Sequence, residues 1–173
     1  MQALEFWKVI AVDQANLLEQ LIALLSERGF QYCVIGGQAV NAYVDPLVSL
    51  DLDLVVSVDQ IERLEKLLAE AYIVKRFPHS INVSSAGSDL RVQIQTDSRY
   101  ATFPEHATPR EVLGLVLPVA SIEDVLRGKV WAAQDATRRP SKRQKDLADI
   151  ARLIEAYPAL RQQLPDDILS RLI

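Results

Sequence analysis

A single cysteine, Cys33, stands in a chain of 173 residues. An internal disulfide is therefore excluded, and the position of Cys33 inside an apolar run fits a buried thiol in a reducing cytoplasm. Long hydrophobic runs are missing as well. The longest fully apolar stretches, such as Leu115 to Leu117, are far short of the ~20 residues a membrane helix needs, so no membrane association is expected. The start, Met1 to Asp13, carries Glu5 where a basic lead would be needed and has no small-residue cleavage site, so it does not read as a secretory signal. Only two histidines occur. His79 and His106 are isolated beside turn or loop residues and read as surface groups, and no zinc, Ser-His-Asp or Cys-His arrangement is present. Repeats and low-complexity tracts are absent. Positive charge is not in excess, since the net charge is -4. General affinity for nucleic acid is excluded for the molecule as a whole, and charge has to be read segment by segment.

The composition, 49% hydrophobic and 24% charged, is that of a soluble globular domain that needs no metal or disulfide to fold, because a chain of this length buries roughly two-thirds of its unfolded surface. Residues 14–28 place Leu17, Leu18, Leu21, Ile22, Leu24 and Leu25 at helical spacing, and Gly29 ends that helix. Gln31 to Ile35 reads as a short buried strand running into Gly36-Gly37. A helix over Gln38 to Tyr43 follows, and Pro46 stops it. Leu50 to Val58 is a strand, with Asp59 able to cap the helix from Gln60 to Ala71. Tyr72 to Phe77, Ile81 to Ser85 and Leu90 to Thr96 read as an antiparallel meander. Leu115 to Val119 is the last strand, after which Ser121-Ile-Glu-Asp124 has the form of a capping box opening a helix to about Ala136. Ser141 is expected to cap a helix through Ala156, and a short helix follows Pro165-Asp166-Asp167. This order predicts an α/β (α+β) fold: a mixed sheet flanked by helices over residues 1–120, with a helical part over 121–173 packed on it.

The residues able to carry chemistry gather after the first two strands. Val34-Ile35-Gly36-Gly37 leads from a strand into a helix; glycine permits positive φ and close backbone approach, and a helix start favours phosphate. Asp51-Leu52-Asp53-Leu54 puts two carboxylates on one strand face and two leucines on the other. Two converging carboxylates repel unless a cation joins them, and Mg²⁺ suits such a pair because it completes its shell with water and phosphate oxygens. The alternative is a strand end with two solvated acids.

An apolar residue, Gly36-Gly37, a 13-residue spacer and Asp51-apolar-Asp53-apolar together resemble the signature of the nucleotidyltransferase superfamily with the DNA polymerase β-like fold. The motif covers Tyr32 to Val56. A lysine in the later helix and Lys-Asp-Leu-x-Asp-Ile extend a looser resemblance to Leu153, similar to the branch containing the AbiEii toxins of bacterial abortive-infection systems. The resemblance implies that Gly36 and Gly37 contact nucleotide phosphates and that Asp51 and Asp53 hold the metal. It also implies a third carboxylate from a later strand, and there this sequence departs: Leu90 to Gln95 offers Arg91, Gln93 and Gln95, with Gln93 where the acid is expected. An amide brings no charge to a metal and cannot act as a base. Asp89 and Asp97 share its phase and are the alternatives.

Lys129 is the one cation on the inward stripe of its helix, formed by residues 122, 125, 126, 129, 130 and 133. It is expected either to reach a phosphate, as the resemblance implies, or to snorkel or pair with Asp146 or Asp149. Arg138, Arg139, Lys142, Arg143 and Lys145 form a basic cluster at a helix junction, able to receive RNA phosphates, a nucleoside triphosphate or an acidic partner, or else to be a solvated turn. The implied activity is Mg²⁺-dependent transfer of a nucleoside monophosphate to a hydroxyl of RNA, protein or a small molecule. The competing expectation is a degenerate nucleotide- or partner-binding module within a toxin–antitoxin pair.

Overall fold

The computed structural model describes residues 16–172. The start Met1 to Asp13 and the first two residues of the predicted opening helix lie outside the described residues. Helix α1 (Leu17–Glu27) buries Leu17, Leu18, Leu21 and Leu25 and ends at Gly29, whose φ of +70° only glycine adopts freely. Strand β1 (Tyr32–Ile35) is buried along its whole length, and helix α2 (Gly36–Tyr43) follows without a linker. Strand β2 (Asp51–Val56), helix α3 (Ile61–Ala71), and strands β3 (Ile73–Phe77), β4 (Ser80–Ser84) and β5 (Arg91–Gln95) complete the first half. Then come β6 (Thr108–Val112), β7 (Leu115–Val119) and helices α4 (Ile122–Gln134), α5 (Pro140–Ala156) and α6 (Asp166–Leu169).

The seven strands form one mixed sheet in the order β3-β4-β5-β2-β1-β7-β6. β3, β4 and β5 are the expected antiparallel meander, and β5 joins β2 in parallel. β1 lies antiparallel to β2 and parallel to β7. Leu52, Leu54, Ile81, Val83, Val92 and Ile94, all on one phase of their strands, share a single apolar cluster with Leu17 of α1, Leu64 and Leu68 of α3, and Leu126, Ile150 and Leu153 of α4 and α5. The opposite phase of β2 to β5 carries Asp51, Asp53, Asn82, Arg91 and Gln93, which leaves that face polar.

Several boundaries differ from the sequence reading. α2 begins at Gly36 rather than Gln38, because Gly36 takes φ +69° and turns the chain within the first helical residue. Asp59 sits inside a 3-10 turn, Val58–Gln60, and does not cap α3. α5 starts at Pro140, one residue before Ser141, and no side chain caps it; proline at the first position is preset for helix. The Ser121 hydroxyl does accept from Asp124 N at 3.2 Å, but the Asp124 carboxylate turns to other partners, so the capping box is half made. Strand β6 had no counterpart in the sequence reading.

Candidate active site

β1 delivers Gly36 to the edge of β2, where Ile35 pairs with Asp53. The positive φ excludes other residues by strain, and close packing excludes them by space. A Cβ at Gly36 would overlap Asp53 Oδ2 and lie 3.1 Å from Asp53 Cβ and Cγ. A Cβ at Gly37 would meet nothing within 4 Å, so the first turn of α2 presents open backbone. Asp51 and Asp53 are half-buried on the same face of β2, while Leu52 and Leu54 are fully buried beneath.

The parallel partner strand sets the rest. Asp51 is in register with Arg91, and Asp53 with Gln93. Arg91 Nε lies 2.8 Å from Asp51 Oδ1. Gln93 is exposed and continues across the sheet to Asn82 and then Lys75, which pair in register. Asp89 and Asp97 fall outside the paired part of β5. Asp97 is occupied by Arg99, whose backbone N–H donates to Oδ1 at 2.9 Å and whose guanidinium donates to Oδ2 at 3.1 and 3.2 Å.

Two cavities meet at Asp53. The smaller one, of about 100 Å³, lies between Gly36, Asp53, Arg138 and the buried Lys129 and Asp146, whose burial makes this the enclosed side. The larger one, of about 370 Å³, runs along the polar sheet face between Asp51, Asp53, Lys75, Asn82, Arg91 and Lys142, and the exposure of Lys75, Asn82 and Arg91 makes this the open side. Burial pushes the Asp53 carboxyl up to about 6, opposed by the positive charge of Lys129, reinforced by Asp51, and opposed more weakly by Arg138 and Lys142.

Of the roles expected of Lys129 from the sequence, the pairing with Asp146 and Asp149 is present. Lys129 lines the smaller cavity with Asp53, and its Nζ lies 3.1 Å from Asp146 Oδ1 and 2.9 Å from Asp149 Oδ2. Burial alone would lower its pKa, but the carboxylates of Asp149 and Asp146 outweigh that and hold it above the ordinary lysine value. Arg138 Nε reaches Asp146 Oδ2 at 2.7 Å, and Arg152 Nη1 reaches Asp149 Oδ1 at 2.9 Å. Arg152 also donates to Asp45 O at 2.6 Å, and Asn41 holds Leu47 by two hydrogen bonds of 2.7 and 3.0 Å. Buried charge on α4 and α5 is thereby tied to the loop that enters β2 at Asp51. Of the basic cluster, Arg138 and Lys142 face the site, whereas Arg139 and Lys145 are exposed and Arg143 is half-buried.

Sequence reasoning placed Arg91 on the polar face of its strand but missed its pairing with Asp51, and it missed Arg152; both partners depend on register and on helix packing. It also treated His106 as a free surface residue. Although exposed, His106 Nδ1 lies 2.9 Å from Oδ2 of buried Asp124, which also pairs with Arg127 Nη1 at 2.7 Å. Tyr100 lines the smaller cavity, packed against Phe103 and Trp131. It lies so near α4 that a Cβ on Gly128 would be 3.2 Å from Tyr100 Cε1.

Among the described residues, no group of three or more His, Cys, Asp or Glu is placed to hold a metal ion. Asp51 and Asp53 nevertheless suit one Mg²⁺, which needs only one or two carboxylates when phosphate and water supply the rest. A glycine turn pressed against an acidic pair on the central strand of a mixed sheet is the core of a nucleotidyltransferase fold. A family model described as nucleotidyl transferase AbiEii toxin, type IV TA system, matches residues 32–172, and the chain belongs to that family. No curated protein matches the sequence. Solved structures agree in fold: the antibiotic-resistance factor ANT(2'')-Ia has a TM-score of 0.58 at 16% identity, covering 87% of this chain and 92% of that one. The lincosamide antibiotic adenylyltransferase LnuA, lincomycin-bound, gives 0.55 at 12% identity over 83% and 99%. An antigenic nucleotidyltransferase-like protein from Paracoccidioides brasiliensis gives 0.52 at 21% over 94% and 95%. No described helix is long and apolar enough to cross a membrane.

Proposed function

We propose that the chain transfers a nucleoside monophosphate from a nucleoside triphosphate to a hydroxyl of RNA, protein or a small molecule, with Mg²⁺ held by Asp51 and Asp53. The observation that carries this reading is the Asp53 carboxylate seated in the space a Gly36 side chain would fill, at the junction of the two cavities. Bound there, the ion would neutralise triphosphate charge and polarise the α-phosphate. The glycine turn, open at Gly37, receives phosphate oxygens on the backbone of Gly36 and Gly37 at the start of α2, and Lys129 with Arg138 supplies positive charge from the enclosed side. The acceptor enters along the polar sheet face. Its oxygen bonds to the α-phosphorus, the bond to the bridging oxygen breaks, and pyrophosphate leaves. Gln93 orients the hydroxyl through its amide, and the hydroxyl proton passes to solvent. In this reading residues 1–120 supply the metal strand and residues 121–173 supply Lys129. The single cysteine supports a cytoplasmic setting, and membership of a type IV toxin–antitoxin family supports a cognate partner.

Calorimetry with a triphosphate tests the metal role: affinity is expected to be higher with Mg²⁺ than without it, and Asp53→Asn is expected to remove the difference. Equal affinity in all four titrations overturns the assignment. A second reading, a degenerate binding module, is favoured by Gln93 standing beside Asp53, since loss of a general base costs a factor of about 10² to 10⁴. Metal-dependent binding without transfer of labelled nucleotide to RNA or protein, together with transfer restored by Gln93→Asp, would select it.

A further inference from the structure

Resting on the reading of Asp51 and Asp53 as the metal-holding pair, we propose that Arg91 is a resident cation of the site. Its guanidinium occupies the space beside Asp51, so the site takes up a single divalent ion.

Three observations lead there. Alternation along two parallel strands in register puts Asp51, Arg91, Asp53 and Gln93 on one face as neighbouring pairs. The guanidinium is engaged, with Nε 2.8 Å from Asp51 Oδ1, and its backbone is fixed by the Arg91 N–H donating to Leu50 O at 2.9 Å. β5 therefore contributes one positive side chain, Arg91, and two neutral ones, Gln93 and Gln95, to the face where a third carboxylate would have contributed a negative one. Two divalent ions about 4 Å apart need anionic ligands to offset their repulsion. Here Asp51, Asp53 and Arg91 sum to a single negative charge, and Lys75 and Lys142 line the same cleft. Among the described residues no other cation pairs with Asp51, and Lys129 is held by Asp146 and Asp149.

The pair is weak enough to compete rather than block. The Arg91 side chain is 68% exposed and that of Asp51 29%, and exposed pairs of this kind change an equilibrium by about two- to five-fold.

The test is a Mn²⁺ titration of the full chain with a non-hydrolysable triphosphate analogue, counting bound ions by electron paramagnetic resonance of the free ion. Wild type is expected to bind one Mn²⁺. Arg91→Gln is expected to bind it about two- to five-fold more tightly at low salt, with the gain fading as salt screens the pair. Arg91→Lys, which keeps the charge, is expected to match wild type. The double variant Arg91→Gln/Gln93→Asp is expected to take up a second ion. Two ions in wild type, or unchanged or weaker binding in Arg91→Gln, overturns the proposal. Mn²⁺ binding that is indifferent to Asp53→Asn instead overturns the metal assignment of the site, and this proposal with it.

Discussion

The two sides of Asp53 handle charge in opposite ways. On the enclosed side Lys129, Asp146 and Asp149 are nearly fully buried, and each ion has at least two partners of opposite sign. On the open side Arg91, Asn82, Gln93 and Lys75 are exposed to solvent. A buried charge that loses its partner cannot return to water, whereas an exposed one simply rehydrates. Residues on the first side should therefore govern stability and alignment together, and residues on the second should govern chemistry with little effect on folding.

The largest expected effect comes from Lys129→Met. It leaves Asp146 and Asp149 buried with their shared cation gone, and breaking a buried pair in this way costs about 3–5 kcal/mol. Urea unfolding measures it, with Arg91→Ala as the contrast at under about 1 kcal/mol. Equal costs for the two variants would erase the difference between the sides.

Next is Gly36→Ala. The left-handed backbone and the overlap with Asp53 together are expected to cost about 1–3 kcal/mol. Gly37→Ala has open space and a helical setting, so its stability should stay level or rise by up to about 1 kcal/mol. A similar loss from both alanines would show that the close approach of Gly36 to Asp53 is unimportant.

Acidity sharpens the comparison further. Asp53 titrates near 6 in the folded chain, above the value of about 3.9 expected when unfolded. The folded state thus holds this proton more tightly, and the contribution of Asp53 to stability falls as pH rises from about 4 to about 6. Metal binding has the opposite sign, because it requires the carboxylate. Mn²⁺ affinity should climb up to about tenfold per pH unit below 6 and level off above 7, and Asp53→Asn should remove this dependence. A flat profile in the wild-type chain would place the metal elsewhere.

Much of this contrast was legible in the sequence, and the reasons are local. The period of a strand put Asp51 and Asp53 together, and the period of a helix exposed Lys129 as the one cation in an apolar stripe. Strand pairing is not local, so the Arg91–Asp51 pair depended on a register that the residues of β5 do not announce. β6 was hidden for a different reason. It is an edge strand containing Pro109, joined to β7 by a turn in which Leu113, at φ 54°, takes a place where Asn or Asp is usual. His106 looked isolated because its partner, Asp124, comes from a helix that packs beside it only in the folded chain.

The smallest expected effect belongs to Gln93→Asp, and it tests the open side directly. A third carboxylate in register with Asp53 adds like charge across two strands, which destabilises by up to about 1 kcal/mol. Because Gln93 is exposed and Arg91 stands on the same strand, the expected loss without divalent ions is about half that, shrinking as salt is raised. Adding Mg²⁺ should reverse it, since the ion turns three repelling groups into ligands and stabilises the folded chain by mass action. Thermal unfolding of wild type and variant, each with and without Mg²⁺, separates these contributions. A variant destabilised by several kcal/mol would mean that the open side is as tightly organised as the enclosed one. A variant that Mg²⁺ fails to recover would mean that position 93 lies beyond the reach of the ion held by Asp53.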